Sequence, residues 1–249
     1  MLELQGIAKH FGGVRAVDGV DLTVRKGEIL GLIGPNGSGK STIVNLICGL
    51  YPLTAGRVLF KDSDISELPP HTRVSLGIAR TFQNIRLFGQ LSVWQNLWVA
   101  QNSGQQQQEN FVARWFGGSS SVRKEIDRTL EFFDLAHKRD ELASNLSFGE
   151  QRRLEFARAL AAQPSLLLLD EPAAGMNAEE VDQLDARIRK MRENGITVLL
   201  IEHHVELVMS VADRVAVLNF GQKIAEGTPA AVQNDRAVRE AYLGTAEVA

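Results

Sequence analysis

Gly34-Pro35-Asn36-Gly37-Ser38-Gly39-Lys40-Ser41 lies between an apolar run, Ile29-Leu30-Gly31-Leu32-Ile33, and a segment with helical spacing, Ser41–Leu50. The octamer fits G-x-x-x-x-G-K-[ST], and its flanks, strand before and helix after, are the context that gives the pattern meaning. Its glycines let backbone N–H groups turn inward around a polyphosphate. The helix that follows presents about half a positive charge at its N-terminus. Lys40 is placed to reach the β- and γ-phosphates, and the Ser41 hydroxyl to bind Mg²⁺. Asn36, Gly37, Ser38, Gly39, Lys40, Ser41 and Thr42 are therefore expected to hold a nucleotide.

Outward from the loop, the apolar run of Ile29–Ile33 suits a strand buried on both faces, as in parallel sheets. Two further runs follow, Leu166–Leu169 and Ile196–Ile201, with the charge-rich helical spacing of Glu179–Arg192 between them. That order predicts a strand–helix–strand unit with a right-handed crossover. Upstream, Leu2, Leu4 and Ile7 open the chain, and Val20, Leu22 and Val24 alternate with polar neighbours as in a half-buried strand. Downstream, Val215–Leu218, the turn Asn219-Phe220-Gly221-Gln222 and Lys223–Ala225 predict a hairpin. From about Leu91 to Ala162 the helical period takes over. Trp94, Leu97 and Trp98 there are spaced either for a packed helix face or for a partner contact. Gln105–Gln108 and Gly117–Ser121 read as loops without chemistry. The expectation is a mixed α/β core interrupted by a mostly helical insertion.

Bulk properties exclude several classes. The chain has 249 residues, a formal charge of −3 and 44% hydrophobic residues, within reach of one elaborate domain and without the basic footprint of a nucleic-acid binder. One cysteine, Cys48, leaves no intrachain disulfide; a reducing compartment fits. Met1–Gln5 lacks the charged-then-apolar layout of a signal peptide. No run approaches the ~18 apolar residues that a membrane span needs.

Leu166-Leu167-Leu168-Leu169-Asp170-Glu171 places two acids at the C-terminal end of a buried strand, where α/β sheets bind their ligands. Asp170 suits Mg²⁺ held through water. Glu171 suits general-base polarisation of an attacking water, worth roughly 10²–10⁴ in rate. Leu146-Ser147-Phe148-Gly149-Glu150-Gln151 precedes a helical stretch running to about Ala162. Ser147 with Glu150 also satisfies the capping-box pattern, so by itself the hexamer reads equally as a helix start.

The ordered set of phosphate loop, serine-led hexamer and acid-tipped strand resembles the ABC ATPase family over nearly the whole chain. The resemblance implies a P-loop NTPase α/β fold with an N-terminal antiparallel β subdomain and an inserted α-helical subdomain. Its core would take residues 1–86 and 163–249, its signature subdomain 87–162, within one domain of 1–249. It also implies roles. Phe11 matches the aromatic that stacks on adenine, with Val17 beside it. Gln83, in Arg80-Thr81-Phe82-Gln83, matches the loop glutamine that senses Mg²⁺ and the membrane partner. Ser147, Gly149 and Glu150 match the signature that meets a nucleotide held by another subunit. His203 matches the histidine that contacts the γ-phosphate. Two positions depart from the family: Phe148 stands where it prefers glycine, and Met176-Asn177 where many members have Leu-Asp. No aspartate role is carried to Asn177.

Gly77–Gln83, Arg86-Leu87-Phe88, Glu171–Asn177 and Tyr242-Leu243-Gly244 look like the ATPases of branched-chain amino-acid importers; urea-import and lipopolysaccharide-export ATPases share much of this. Such a resemblance implies ATP and Mg²⁺ and a second ATPase subunit, identical or paralogous. It implies transmembrane permease subunits, an indirect link to a substrate-binding protein, and the cytoplasmic face of the inner membrane. Phe88 and Leu91 would line a groove for a permease helix or belong to a core. The competing readings are an ABC ATPase acting on nucleic acid, for which the coiled-coil insert or tandem unit is missing, and a nucleotide switch without transport.

Overall fold

The computed structural model describes residues 1–81, 85–102 and 120–243. Gln83, the glutamine run at 105–108 and the glycine–serine stretch at 117–119 lie outside the described residues. The chain divides into two compact units, Met1–Arg73 with Leu168–Ala249, and Val74–Leu167.

The first unit is built on two sheets. Strands β1 (Leu2–Phe11), β2 (Val14–Val24), β4 (Ala55–Phe60) and β5 (Ser63–Asp64) form an antiparallel sheet in the order β2-β1-β4-β5. Leu4 pairs with Leu22 and Ile7 with Val20, all four buried; Val20 and Leu22 keep the period-two alternation along β2, while the register shifts between Leu4 and Ile7 on β1. The second sheet runs β10-β9-β3-β8-β7, with β3 at Ile29–Ile33, β7 at Leu166–Asp170, β8 at Thr197–Ile201, β9 at Arg214–Asn219 and β10 at Gln222–Gly227. Strand β3 lies parallel to β8 (Ile29↔Val198, Leu32↔Ile201) and to β9 (Leu30↔Arg214, Ile33↔Val217). Every residue of β3 and β8 is buried, which explains their unbroken apolar character. The expected hairpin is β9–β10, closed at Phe220-Gly221 with φ positive at both, as a two-residue hairpin turn demands.

Helix α1 (Lys40–Ile47) leaves the phosphate loop and ends three residues before the expected Leu50. The reason is its cap. Gly49 N–H donates to Leu46 O at 3.1 Å and Leu50 N–H to Asn45 O at 2.9 Å, a Schellman closure. The buried Arg73 guanidinium, on the short helix α2 (Pro70–Ser75), donates to Leu46 O and Ile47 O at 2.7 and 2.9 Å. A cation at the C-terminal carbonyls also complements the helix dipole.

The second unit is mostly helical. It holds β6 (Ile78–Arg80), α3 (Val93–Asn102), α4 (Ser120–Phe132), two 3₁₀ turns and α5 (Phe148–Ala161). Leu97 and Trp98 are buried on α3, so the packed-face reading fits them. Phe88 is 50% exposed, with the Arg158 guanidinium 5.5 Å from its ring centre, so the core reading does not fit it. Among the described residues no helix is long and apolar enough to cross a membrane.

Helix α5 carries a buried ion pair, Arg152 Nη1 to Glu155 Oε2 at 3.1 Å. Removing one partner takes from the other the opposite charge that offsets its burial. Glu155→Ala is expected to cost about 3–5 kcal/mol by chemical denaturation, whereas Arg152→Met with Glu155→Leu costs less. A double variant no more stable than the single one would show that the pair is not the coupled unit.

Candidate functional site

The loop between β3 and α1 owes its path to backbone contacts that no side chain can enter. A Cβ on Gly39 (φ +107°) would sit 2.5 Å from Ala16 O, and one on Gly34 2.2 Å from Leu218 O. The loop is tied back by Gly221 N–H to Ser38 O at 3.0 Å. Burial raises the phenol of Tyr242, on the last helix, above its ordinary pKa, and the Gly34 backbone opposes that shift. Lys40 is only 6% exposed. Its ammonium donates to Gly34 O at 2.7 Å and Pro35 O at 3.0 Å. Desolvation lowers its pKa, and the charges of Glu171 and Asp170 oppose that shift.

Asn36 and Gly37 form the exposed crown of the loop, Ser41 is exposed at the first turn of α1, and Thr42 is half-buried. Ser38 Oγ is buried and, among the described residues, has no hydrogen-bond partner. An orphaned hydroxyl and a desolvated ammonium at the start of a helix are a donor set for a polyanion. ATP fits it, and the Ser41 hydroxyl and Asp170 carboxylate are oxygen groups of the kind that could hold Mg²⁺.

Phe11 closes β1 with 45% of its surface exposed. Tyr51 meets it edge-on at 5.3 Å between ring centres, and Lys9 Nζ lies 5.1 Å from its centroid. Val17 is fully buried and packs against Gly39, so it supports the loop from the core side.

Asp170 ends β7 and is buried. Glu171, the next residue, has φ +48°. A non-glycine residue in that region costs of order 1–3 kcal/mol and persists only where its surroundings impose it. Here the constraint is Glu171 N–H donating to Ile201 O at 2.8 Å. The geometry brings Glu171 and His203 together, with Nδ1 of the ring 3.9 Å from Glu171 Oε2. It also brings in a residue that the sequence reading passed over. Glu202 is 0% exposed. Its Oε1 accepts from Ala173 N–H at 2.7 Å, and its Oε2 from His203 N–H and His204 N–H at 3.0 and 3.2 Å. The only signal for it was an acid at the end of an apolar strand, the same signal that marked Asp170 and Glu171.

In the helical unit Ser147 caps α5. Glu150 N–H donates to Ser147 Oγ at 3.4 Å, while Ser147 N–H and its hydroxyl both donate to Glu150 Oε2 at 2.8 Å. Phe148 is 58% exposed beside them. Asn177 makes the same box with Glu180 at the start of α6 (Ala178–Glu193). The pattern Asn-x-x-Glu could have revealed it.

The Ser147 amide, and then the ammonium of Lys138 3.0 Å away, lower the Glu150 pKa from 4.5 to about 2. A depressed carboxyl contributes stability above its unfolded pKa and loses it as pH falls through the folded one. The melting temperature of Glu150→Gln should therefore fall less steeply than that of the unmodified chain between pH 4.5 and about 2. Parallel acid profiles would remove the carboxylate from the cap.

The ABC transporter family model matches residues 17–174, and a branched-chain amino acid ATP-binding cassette transporter model matches 222–248. The high-affinity branched-chain amino acid transport ATP-binding protein BraF of Pseudomonas aeruginosa is 42% identical over 99% of this chain and 98% of its own length. The lipopolysaccharide export system ATP-binding protein LptB of Escherichia coli is 38% identical over 98% and 97%. An ATP-binding cassette of an ABC transporter in its ADP conformation has a TM-score of 0.85 at 34% identity, with 98% of each chain covered. A dimeric cassette bound to ADP and Pi gives 0.78 at 25%, over 92% of this chain and 99% of that one. With a phosphate loop, an acid-tipped strand and a serine-led helix in the family's order, and a full-length relative at this identity, the chain belongs to the ABC transporter ATP-binding family.

Proposed function

We propose that this chain is the ATP-hydrolysing motor subunit of an ABC importer for branched-chain amino acids. The observation that carries the hydrolytic part is Glu171, fixed in a left-handed turn beside the ring of His203 at the carboxyl end of the parallel strands. The cargo part rests on BraF and on the C-terminal match at 222–248.

Each residue has one task in this reading. The amides of Asn36 to Lys40 and the Lys40 ammonium hold the polyphosphate, and Lys40 exchanges its two carbonyl partners for phosphate oxygens. Phe11, braced by Tyr51, stacks on the base, with Val17 behind the loop. Ser41, Asp170 and Gln83 hold Mg²⁺, which supplies charge neutralisation at the phosphate oxygens when bound. Glu171 accepts a proton from the attacking water. His203 faces the terminal phosphate. One chain carries one phosphate loop and one signature, so the working unit pairs two ATPase subunits. Ser147 and Gly149 of each then meet the nucleotide held by the other, with Glu150 holding Ser147. A phosphate bridging two subunits favours the closed pair, and its loss releases them, which makes the cycle an equilibrium biased by differential contact. Permease subunits at the cytoplasmic face of the membrane receive that motion, with 1–86 and 163–249 as core and 87–162 as helical subdomain. A substrate-binding protein delivers the cargo.

Glu171→Gln should slow ATP turnover at least roughly a hundredfold while accumulating an ATP-bound dimer visible by size-exclusion chromatography. Lys40→Ala should instead lose ATP affinity in direct binding measurements. Unmodified turnover in the first variant would remove Glu171 from the chemistry, and unchanged affinity in the second would remove Lys40 from the nucleotide site. Co-reconstitution with the permease should stimulate hydrolysis; a rate indifferent to it would favour a nucleotide switch.

A further inference from the structure

We propose that Glu202 is a positioning residue that registers the turn bearing Glu171 to the turn bearing His203. The inference rests on the hydrolytic reading above. Glu202 follows β8 and its carboxylate is wholly buried. One oxygen takes the N–H of Ala173, two residues beyond Glu171; the other takes the N–H groups of His203 and His204. A parallel tie, Glu171 N–H to Ile201 O at 2.8 Å, joins the same two turns one residue upstream. Glu171 is thus bracketed, on one side by its own amide and on the other by the grip of Glu202 on Ala173.

Three converging amide donors require an acceptor-only group with two oxygens, which an ionised carboxylate is and a carboxamide is not. Glutamine keeps one acceptor and turns an NH₂ toward amides that also donate. Alanine leaves three donors without their acceptor. Glu202 Oε2 also lies 3.6 Å from His203 Nδ1, so the carboxylate faces the ring as well as its backbone. Among the described residues the hydrogen bonds of Glu202 run to Ala173, His203 and His204, not to the phosphate loop, Phe11 or Lys40. Its loss should therefore disturb the placement of Glu171 and His203 and leave the grip on nucleotide intact. Small displacements of reacting groups are expensive: about 1 Å can cost roughly a hundredfold in rate.

The test compares Glu202→Gln, Glu202→Ala and Glu202→Asp in the full chain reconstituted with its permease. For Glu202→Gln we expect kcat to fall roughly tenfold to a hundredfold. Its ATP affinity should stay within about twofold, because the phosphate donors are untouched. Glu202→Asp, which keeps both oxygens on a shorter arm, should recover part of the lost rate relative to alanine. Amide hydrogen exchange supplies a readout independent of turnover: Ala173, His203 and His204 should exchange faster in Glu202→Gln, with α1 unchanged. Turnover equal to the unmodified chain, affinity and rate falling together, or unaltered exchange at those amides would each overturn the proposal. An alanine variant that fails to fold leaves the glutamine and aspartate arms to decide. An unmodified chain without ATPase activity would instead sink the hydrolytic reading, while the exchange experiment still reports on the clasp.

Discussion

Parallel pairing of β3 with β8 on one side and β9 on the other fixes almost everything at the site. Strands that run in one direction end at one edge, and at that edge the ladder stops while the backbone N–H groups continue into turns. Those donors must find acceptors or a ligand. After β3 they enter the Gly34–Lys40 loop, where the Ser38 amide takes Pro35 O. After β8 they meet the carboxylate of Glu202. After β7 the Glu171 amide takes the last carbonyl of β8. Three loops distant in sequence are brought to a common edge by strand direction.

The electrostatics follow from the same burial. A desolvated ammonium is costly, and Lys40 survives it by borrowing Gly34 O and Pro35 O while Asp170 and Glu171 oppose the downward shift of its pKa. Carbonyl dipoles are weaker partners than phosphate oxygens, so a polyanion entering the loop gains by substitution for contacts already made. Pre-arrangement keeps the reorganisation cost low, since Gly221 N–H ties the loop at Ser38 O and the nearness of Ala16 O and Leu218 O leaves no room for a side chain at Gly39 or Gly34.

Patterns confined to neighbouring residues were legible. The octamer with its flanks, the apolar runs of β3, β7 and β8, the alternation along β2 and the Phe220-Gly221 hairpin needed only local periodicity or a fixed turn residue. Side chains acting across long sequence separations were not legible. Arg73 terminates α1 from 26 residues away, and its sequence neighbourhood gives no hint of that partner. Glu202 reaches back 29 residues to Ala173. Asn177 is a different case. Its capping box with Glu180 follows the same local pattern as that of Ser147 and is as readable in the sequence.

The serine-led helix raises a constraint that the phosphate loop does not. A hydroxyl has one proton, and Ser147 gives its proton to Glu150 Oε2 at 2.8 Å while its oxygen accepts from Glu150 N–H. For Ser147 to donate to a phosphate oxygen, that proton must leave Glu150, which then keeps the Ser147 amide and the Lys138 ammonium as partners. A carboxylate that stays ionised down to about pH 2 can release the hydroxyl without losing its charge compensation. The cap therefore does not compete to the end with an incoming anion. It holds the serine at the exposed start of α5, with Gly149 adding no side chain between that hydroxyl and whatever approaches.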